Sequence, residues 1–188
     1  MTFYRIYHSI RMFFIRSAAR RAEYLKKNDI LGGIGENCIW GPWKLPLYPK
    51  LIILHNNVVV QKTVSLITHD VLNRHLQKVY PNKDFGHHER LGCIELMDNT
   101  FVATRAIIMP DVRINENSIV SAMSLVTSDV PPNTIVSGVP AKPIGKTDMF
   151  AALRAMRKKE NIKFKSGHLP KEVVEIAWER FKKHRKDD

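Results

Sequence analysis

From Leu96 onward the hydrophobic positions return every six residues. Leu96, Val102, Ile108, Ile114, Val120 and Val126 are all aliphatic. Four places after each stand Thr100, Ala106, Val112, Ser118, Ser124 and Val130, all small or β-branched. Asn or Asp recurs between the two sets, at Asp98, Asn99, Asp111, Asn115, Asn117 and Asp129. A helix face repeats near 3.6 residues and a strand face near 2, and neither yields a clean six. One aliphatic anchor and one small residue per six predicts short strands joined by turns and stacked into a prism, a β-helix. The anchor points inward, the small residue fits the corner, and Asn or Asp accepts the turn conformation.

The pattern also reads backwards. Residues 34–39 form one good hexapeptide, after which Pro42, Pro46 and Pro49 break the period and exclude a regular helix or a central strand. The register resumes at Leu54, Val60 and Leu66, with Val58 and Val64 as small partners. Residues from about 70 to 92 do not obey it and read as a loop thrown out of the prism. Residues 2–28 predict one amphipathic helix with Phe3, Tyr7, Ile10, Phe14 and Ala18 along a stripe and Arg5, Arg11, Arg16, Arg20 and Arg21 elsewhere. That stripe either packs on the prism as a cap or lies in a membrane interface. Helices are expected over 148–160 and from Pro170 to about His184, the second with Val173, Val174, Ala177, Trp178 and Phe181 on one face. The organisation is therefore a helix over 1–29, a repeat body over 30–145 and a helical extension over 146–188.

Charge refines this picture. The chain of 188 residues suits one domain with appendages. Its net charge of +12 sits at the ends: residues 1–28 and 146–188 carry +6 each, while the body carries ten acids and ten bases. A neutral body argues against a nucleic-acid partner. The basic ends leave room for an anionic membrane surface met through residues 1–28, or for an anionic ligand. Cys38 and Cys93 form no metal or redox motif, which fits a cytoplasmic setting, peripheral to the inner face of the membrane if the N-terminal helix lies there. Charges at Arg5, Arg11 and Arg16 interrupt any signal-like run. No stretch reaches the roughly 20 apolar residues of a membrane span.

Two stretches carry a family likeness. Residues 126–142, Val-Thr-Ser-Asp-Val-Pro-Pro-Asn-Thr-Ile-Val-Ser-Gly-Val-Pro-Ala-Lys, resemble the closing motif of hexapeptide-repeat acyltransferases of the maltose, galactoside and Nod-factor acetyltransferase branch. Ser65-Leu-Ile-Thr-His-Asp70 resembles the strand end that carries that family's catalytic histidine, most like members that decorate polysaccharides. The resemblance implies a mainly β protein, a left-handed parallel β-helix, acting as a homotrimer with sites between neighbouring prisms and acetyl-CoA as donor. The glycine that usually follows each anchor is replaced here by Met97, Ala103, Met109, Asn115, Ser121 and Thr127; Gly35 keeps it.

Acetyl transfer from a thioester to a hydroxyl needs a base, donors for the tetrahedral oxyanion and a groove for the carrier. A histidine titrates near neutrality and suits the first task, so His69 is the candidate base. Asp70 orients the imidazole, binds sugar hydroxyls or caps a turn. The resemblance places Phe101 beside the thioester, a backbone N–H of Ala103 or Thr104 near the oxyanion, Ala122 and Thr127 along pantetheine and adenine, and Lys142 near the nucleotide phosphates. Trp40 and Trp43 could present rings to a sugar, and His87 or His88 could touch the acceptor. The spacings of His75, His87 and His88 match no metal site, so no metal is expected. The expected activity is O-acetylation of a sugar or polysaccharide precursor. A xenobiotic acetyltransferase on the same fold, or a non-enzymatic scaffold with basic tails, are the alternatives.

Overall fold

A computed structural model describes residues 2–86, 88–156, 169–183 and 185. Chain contacts divide it into two units, residues 1–152 and 153–188.

The first unit is a triangular prism of parallel strands. One face stacks Gly33–Ile34, Ile52–Leu54, Ile94–Leu96 and Val112–Ile114. A second stacks Ile39–Trp40, Val59–Val60, Phe101–Val102, Ile119–Val120 and Thr134–Gly138, and ends in an antiparallel hairpin strand, Ala141–Lys146. The third holds Ser65–Leu66, Ile107–Ile108 and Leu125–Val126. Partners such as Ile107 and Leu125, or Val112 and Ile94, lie eighteen residues apart, three hexapeptides per coil. The first coil takes twenty (Ile39 with Val59), and the excursion stretches one coil to forty-two (Val59 with Phe101).

All six anchors from Leu96 to Val126 are buried, none more than 2% exposed. The residues four places on, Thr100 to Val130, are equally buried. Burying each aliphatic anchor contributes roughly 1.5–3 kcal/mol, more than the roughly 0.5–1.5 kcal/mol net of one hydrogen bond. The aliphatic column drives the stacking, and the corners decide its shape. At one corner Asn37, Asn57, Asn99, Asn117 and Asn133 all have φ between 54° and 58° or at 61°, in the left-handed region. Asn tolerates that region where most residues do not. Their side chains form a ladder: Asn57 Nδ2 donates to Asn99 Oδ1 at 2.9 Å, Asn99 to Asn117 at 2.9 Å and Asn117 to Asn133 at 3.0 Å. Gly35 keeps the repeat glycine for a local reason: a Cβ there would lie 2.6 Å from the His55 carbonyl carbon.

The N-terminal segment is not one helix. α1 (Thr2–Phe14) and α2 (Ala18–Lys27) are separated by a break, after which Ser17 caps α2 by accepting the Arg20 N–H. The break is fixed by Arg21, expected on a solvated face but in fact 1% exposed. Its guanidinium donates to Ile15 O (2.6 Å) and Arg16 O on one side, and to Trp40 O (2.9 Å) and Gly41 O (3.1 Å) on the other. Burial draws its pKa down from the ordinary guanidinium value. The expected packing stripe of α1 is also corrected. Phe3 is 90% exposed and Phe14 76%, and Tyr7 and Ile10 are exposed too; His8 and Met12, one turn apart, are what α1 buries.

The excursion after the third face is an organised arm with its own helix, α3 (Leu72–Val79), and a short hairpin pairing His69–Asp70 with Arg90–Leu91. α4 (Thr147–Met156) follows the last strand. The expected continuation to residue 160 lies outside the described residues. In the second unit α5 (Lys171–Lys183) sets Trp178 edge-on to Phe181 at 5.3 Å, with the Arg185 guanidinium 3.6 Å over the Phe181 ring.

Two outcomes test these assignments. Asn99→Ala must hold alanine at positive φ and cut the ladder, and is expected to cost about 2–3 kcal/mol. Asn99→Gly keeps the backbone and loses only the ladder, so it should cost about 1 kcal/mol. Thermal or urea unfolding measures both, and equal losses would refute the backbone argument.

His8 gives a pH dependence. Its Nδ1 lies 2.7 Å from the Tyr24 hydroxyl, and burial, then the Arg11 charge, hold the imidazole below its ordinary 6.5. The unfolded chain therefore takes up a proton that the folded one resists. This stabilisation is full above pH 6.5 and is lost as pH falls through the lowered folded value. Amides of α1 should exchange faster at pH 5.5 than at 7.5, after correction for intrinsic rates. His8→Gln should abolish the difference.

Candidate active site

His69 stands where the chain leaves the third face. The two ends of the excursion are stitched there: Gly92 N–H donates to Thr68 O at 3.0 Å, and His69 pairs with Leu91. This places a half-buried imidazole at the edge of a cavity of about 850 Å³. The cavity is walled by the proline-rich segment 40–47, by residues 62–67 and by Arg5 of α1. The Tyr48 ring stands edge-on to His69, centroids 5.5 Å apart. The Tyr48 hydroxyl donates to Glu89 Oε2 at 2.7 Å, tying the proline-rich segment to the returning arm. That hydrogen bond, with the Glu89 charge, raises the Tyr48 pKa. His69 Nδ1 is buried and has no hydrogen-bond partner among the described residues.

Asp70 is committed elsewhere. Its Oδ1 accepts the Leu72 N–H at 2.6 Å and so closes the turn into α3. Trp43 lines the cavity with its ring 46% exposed, held edge-on by Phe13 of α1 at 5.5 Å, with Lys62 Nζ 5.5 Å from its centroid. Trp40 is core, 1% exposed, reaching the cavity only as part of its inner wall; its carbonyl accepts from Arg21. His88 is exposed, and its carbonyl lies 3.5 Å from Asn73 Nδ2. His87 lies outside the described residues. Among the described residues no three His, Cys, Asp or Glu side chains gather as a metal-ligand set.

The stacking register places the remaining candidates. Thr104 and Ala122 share one corner on successive coils, and Met123 N–H donates to Thr104 O at 3.1 Å. The corner below them is Lys62–Thr63 at the cavity rim. Thr63, Arg105 and Met123 repeat the left-handed φ down this column. Ala103 N–H donates to Val120 O at 2.9 Å, so in this chain it is already engaged. Thr127 lies at the opposite edge of the third face, on the side of His69. Phe101 is in the outward row of the second face, and Lys142 is in its closing hairpin, paired with Ser137. The prism therefore gathers Thr104 and Ala122 beside the cavity rim, and sets Phe101, Thr127 and Lys142 apart from them.

No family model matches the chain. It is 37% identical over 102 residues to protein CapG of Staphylococcus aureus, covering 54% of this chain and 56% of that protein. It is 30% identical over 94 residues to galactoside O-acetyltransferase of Escherichia coli K12, covering 50% of this chain and 43% of the relative. The chain thus spans about half the length of these curated relatives. The fold is similar to a galactoside acetyltransferase in complex with coenzyme A (TM-score 0.56, 21% identity, 86% of this chain and 88% of that one). It is also similar to a hexapeptide-repeat acetyltransferase from Vibrio cholerae (TM-score 0.53, 19% identity, 74% and 86%). Three of these four proteins are named acetyltransferases, and the one from Vibrio cholerae is named for its hexapeptide repeats.

Sequence reasoning missed several residues of this candidate site. Tyr48 and Glu89 are forty-one positions apart, and no local pattern announces their contact. Arg5 reaches the cavity from α1, thirty-nine positions before Lys44, which no local pattern announces. Lys44 sits in the proline-rich interruption and Lys62 at a corner, where charged residues are unremarkable in sequence.

Proposed function

We propose that the chain is an O-acetyltransferase that moves acetyl from acetyl-CoA to a hydroxyl of a sugar or polysaccharide precursor. The observation that carries this reading is the placement of His69. A half-buried imidazole with an unpartnered ring nitrogen, braced by Tyr48, borders a cavity walled by the exposed ring of Trp43. The galactoside O-acetyltransferase relative supports the acceptor class, and a galactoside acetyltransferase of similar fold in complex with coenzyme A supports the donor.

The acceptor hydroxyl enters the cavity and gives its proton to the His69 imidazole as its oxygen attacks the thioester carbon. The tetrahedral oxyanion forms and collapses. The C–S bond breaks, the C–O bond of the ester remains, and the imidazolium returns the proton to the departing sulfur. Asp70 holds the turn into α3 and so keeps His69 on its side of the cavity; Tyr48 limits ring rotation. We read the coil as left-handed and the working form as a homotrimer, as the resemblance implies. A row of partly exposed apolar side chains on the second face, Ile39, Val59, Phe101 and Ile119, offers a surface for a neighbouring copy. In that assembly Phe101, Ala103, Thr104, Ala122, Thr127 and Lys142 would line the donor groove across the junction of two prisms.

His69→Ala is expected to lower kcat for CoA release by about 10²–10⁴-fold, with acetyl-CoA binding and a trimeric mass by light scattering retained. Unchanged turnover would remove His69 from the chemistry. Absence of any turnover in the wild type across neutral and charged sugars would instead favour a scaffold.

The uncovered face of α1 fits an anionic membrane surface: Phe3, Tyr7 and Phe14 are exposed beside Arg11 and Arg16. The full chain should co-float with vesicles containing about a third phosphatidylglycerol, and Phe3→Ser with Phe14→Ser should release it. Equal recovery with and without vesicles would rule this contact out.

A further inference from the structure

The cavity beside His69 has a charge pattern that the transfer reaction itself does not require. Arg5, Lys44 and Lys62 all line it, and no Asp or Glu does. The three come from unrelated places: α1, the proline-rich segment and a prism corner. Each is brought in by a specific packing event. Arg5 arrives on α1, which packs on the proline-rich segment through the Leu45 N–H to Ser9 Oγ bond and the Phe13–Trp43 ring contact. Lys44 follows the two buried residues Gly41 and Pro42, and Leu45, next after it, is 1% exposed, with its N–H donating to Ser9 Oγ of α1 at 3.1 Å. Lys62 is set by the corner preceding Thr63, whose φ is 62°, and leans over the Trp43 ring. None of the three makes an ion pair among the described residues. Elsewhere on the body, Lys26, Lys50, Arg90 and Arg113 are each matched with a carboxylate.

Three cations converging on a partly apolar cavity without a counter-charge repel one another. An anion entering the cavity would relieve that repulsion. Uncharged sugar hydroxyls would give them little to neutralise. Building on the acetyl-transfer reading, we propose that the acceptor is an anionic sugar, one bearing a phosphate or carboxylate. Its charge is gripped by Arg5, Lys44 and Lys62, one sugar face rests on Trp43, and the reacting hydroxyl lies toward His69. Arginine offers a planar fork matched to two oxygens of phosphate or carboxylate, and the lysines act as point charges. The three are specificity residues for the acceptor, and Lys142 and the donor groove are left to coenzyme A.

The competing assignment is that these cations hold the phosphates of coenzyme A, and the experiment separates the two. The probes are glucose, glucose 6-phosphate and glucuronate, with acetyl-CoA as donor, the full chain as enzyme and thiol release as the readout. Calorimetric binding of each sugar is measured in parallel, because it needs no turnover. The inference expects at least about tenfold tighter binding of one charged probe over glucose. The preference of glucose 6-phosphate over glucuronate, or the reverse, identifies the anion. Arg5→Gln, Lys44→Gln and Lys62→Gln should each raise the KM of that charged probe about fivefold to tenfold, with the KM of acetyl-CoA unmoved. Lys62→Arg should restore much of the loss, and added salt should weaken the charged probe more than glucose.

Equal binding of charged and neutral sugars overturns the inference, as does failure of both charged probes to bind. A rise confined to the KM of acetyl-CoA overturns it too and assigns the cations to the donor. Anion binding that depends on Arg5, Lys44 and Lys62, without turnover of any probe, would leave the charged site standing and fail the transferase reading. Turnover through His69 with no preference for charge would do the reverse.

Discussion

Everything in this molecule depends on turning a chain through three corners per coil without losing backbone hydrogen bonds. Each straight side is only two or three residues long, so the corners recur too often to be left to chance. The solution at one corner is a left-handed Asn whose amide both donates to and accepts from the Asn of the adjacent coils. The polar ladder outside and the aliphatic column inside enforce the same register. A slip by one residue would turn anchors outward and put residues other than Asn at left-handed positions. At the next corner, Thr63, Arg105 and Met123 take the same backbone conformation without such a ladder. That corner forms the cavity rim, where side chains are freed for other contacts.

The site is assembled from interruptions of this rule. Two extra residues in the first coil let the segment around Trp43 bulge over the third face. The twenty-four residues added after Ile67 carry His69 out on a hairpin and bring Glu89 back to Tyr48. The prism is a rigid ruler, and the cavity lies where the chain steps off it. The candidate base therefore stands one hairpin step from the third face, and the proline-rich wall of the cavity sits on a segment that the repeat does not constrain.

Much of the prism is legible in the sequence because each buried side chain recurs at a fixed short spacing. Leu96 to Val126 could be assigned inward, and Asn99 and Asn117 to corners, from the six-residue period alone. His69 was singled out by the resemblance of residues 65–70 to a family motif, and it lines the cavity. Contacts between distant segments were not legible. The break between α1 and α2 is invisible in the helical periodicity because it is decided by Arg21 finding the carbonyls of Trp40 and Gly41, nineteen and twenty residues on. The same blindness left open whether the Trp40 ring faces a sugar or packs, and it is core. It also left open whether Asp70 orients the imidazole, binds sugar hydroxyls or caps a turn; its Oδ1 accepts the Leu72 N–H of the turn. The amphipathic reading of α1 left its apolar stripe to either the prism or a membrane interface; the contact with the prism is made by His8 and Met12 instead.

Arg21 has one more implication. It holds the helical segment to the prism through four carbonyl oxygens and no side chain. The joint reads backbone carbonyls, so it does not depend on the side chains of Ile15, Arg16 or Trp40; Gly41 is held to its identity for another reason, because a Cβ there would lie 2.5 Å from the Gln61 carbonyl carbon. Trp40 and Gly41 begin one segment that walls the cavity, and Ile15 and Arg16 follow α1, which brings Arg5 to it. A protein built this way can exchange the side chains facing that cavity while the joint behind them stays intact. Diversification of the pocket and preservation of the architecture are thereby decoupled at a single guanidinium.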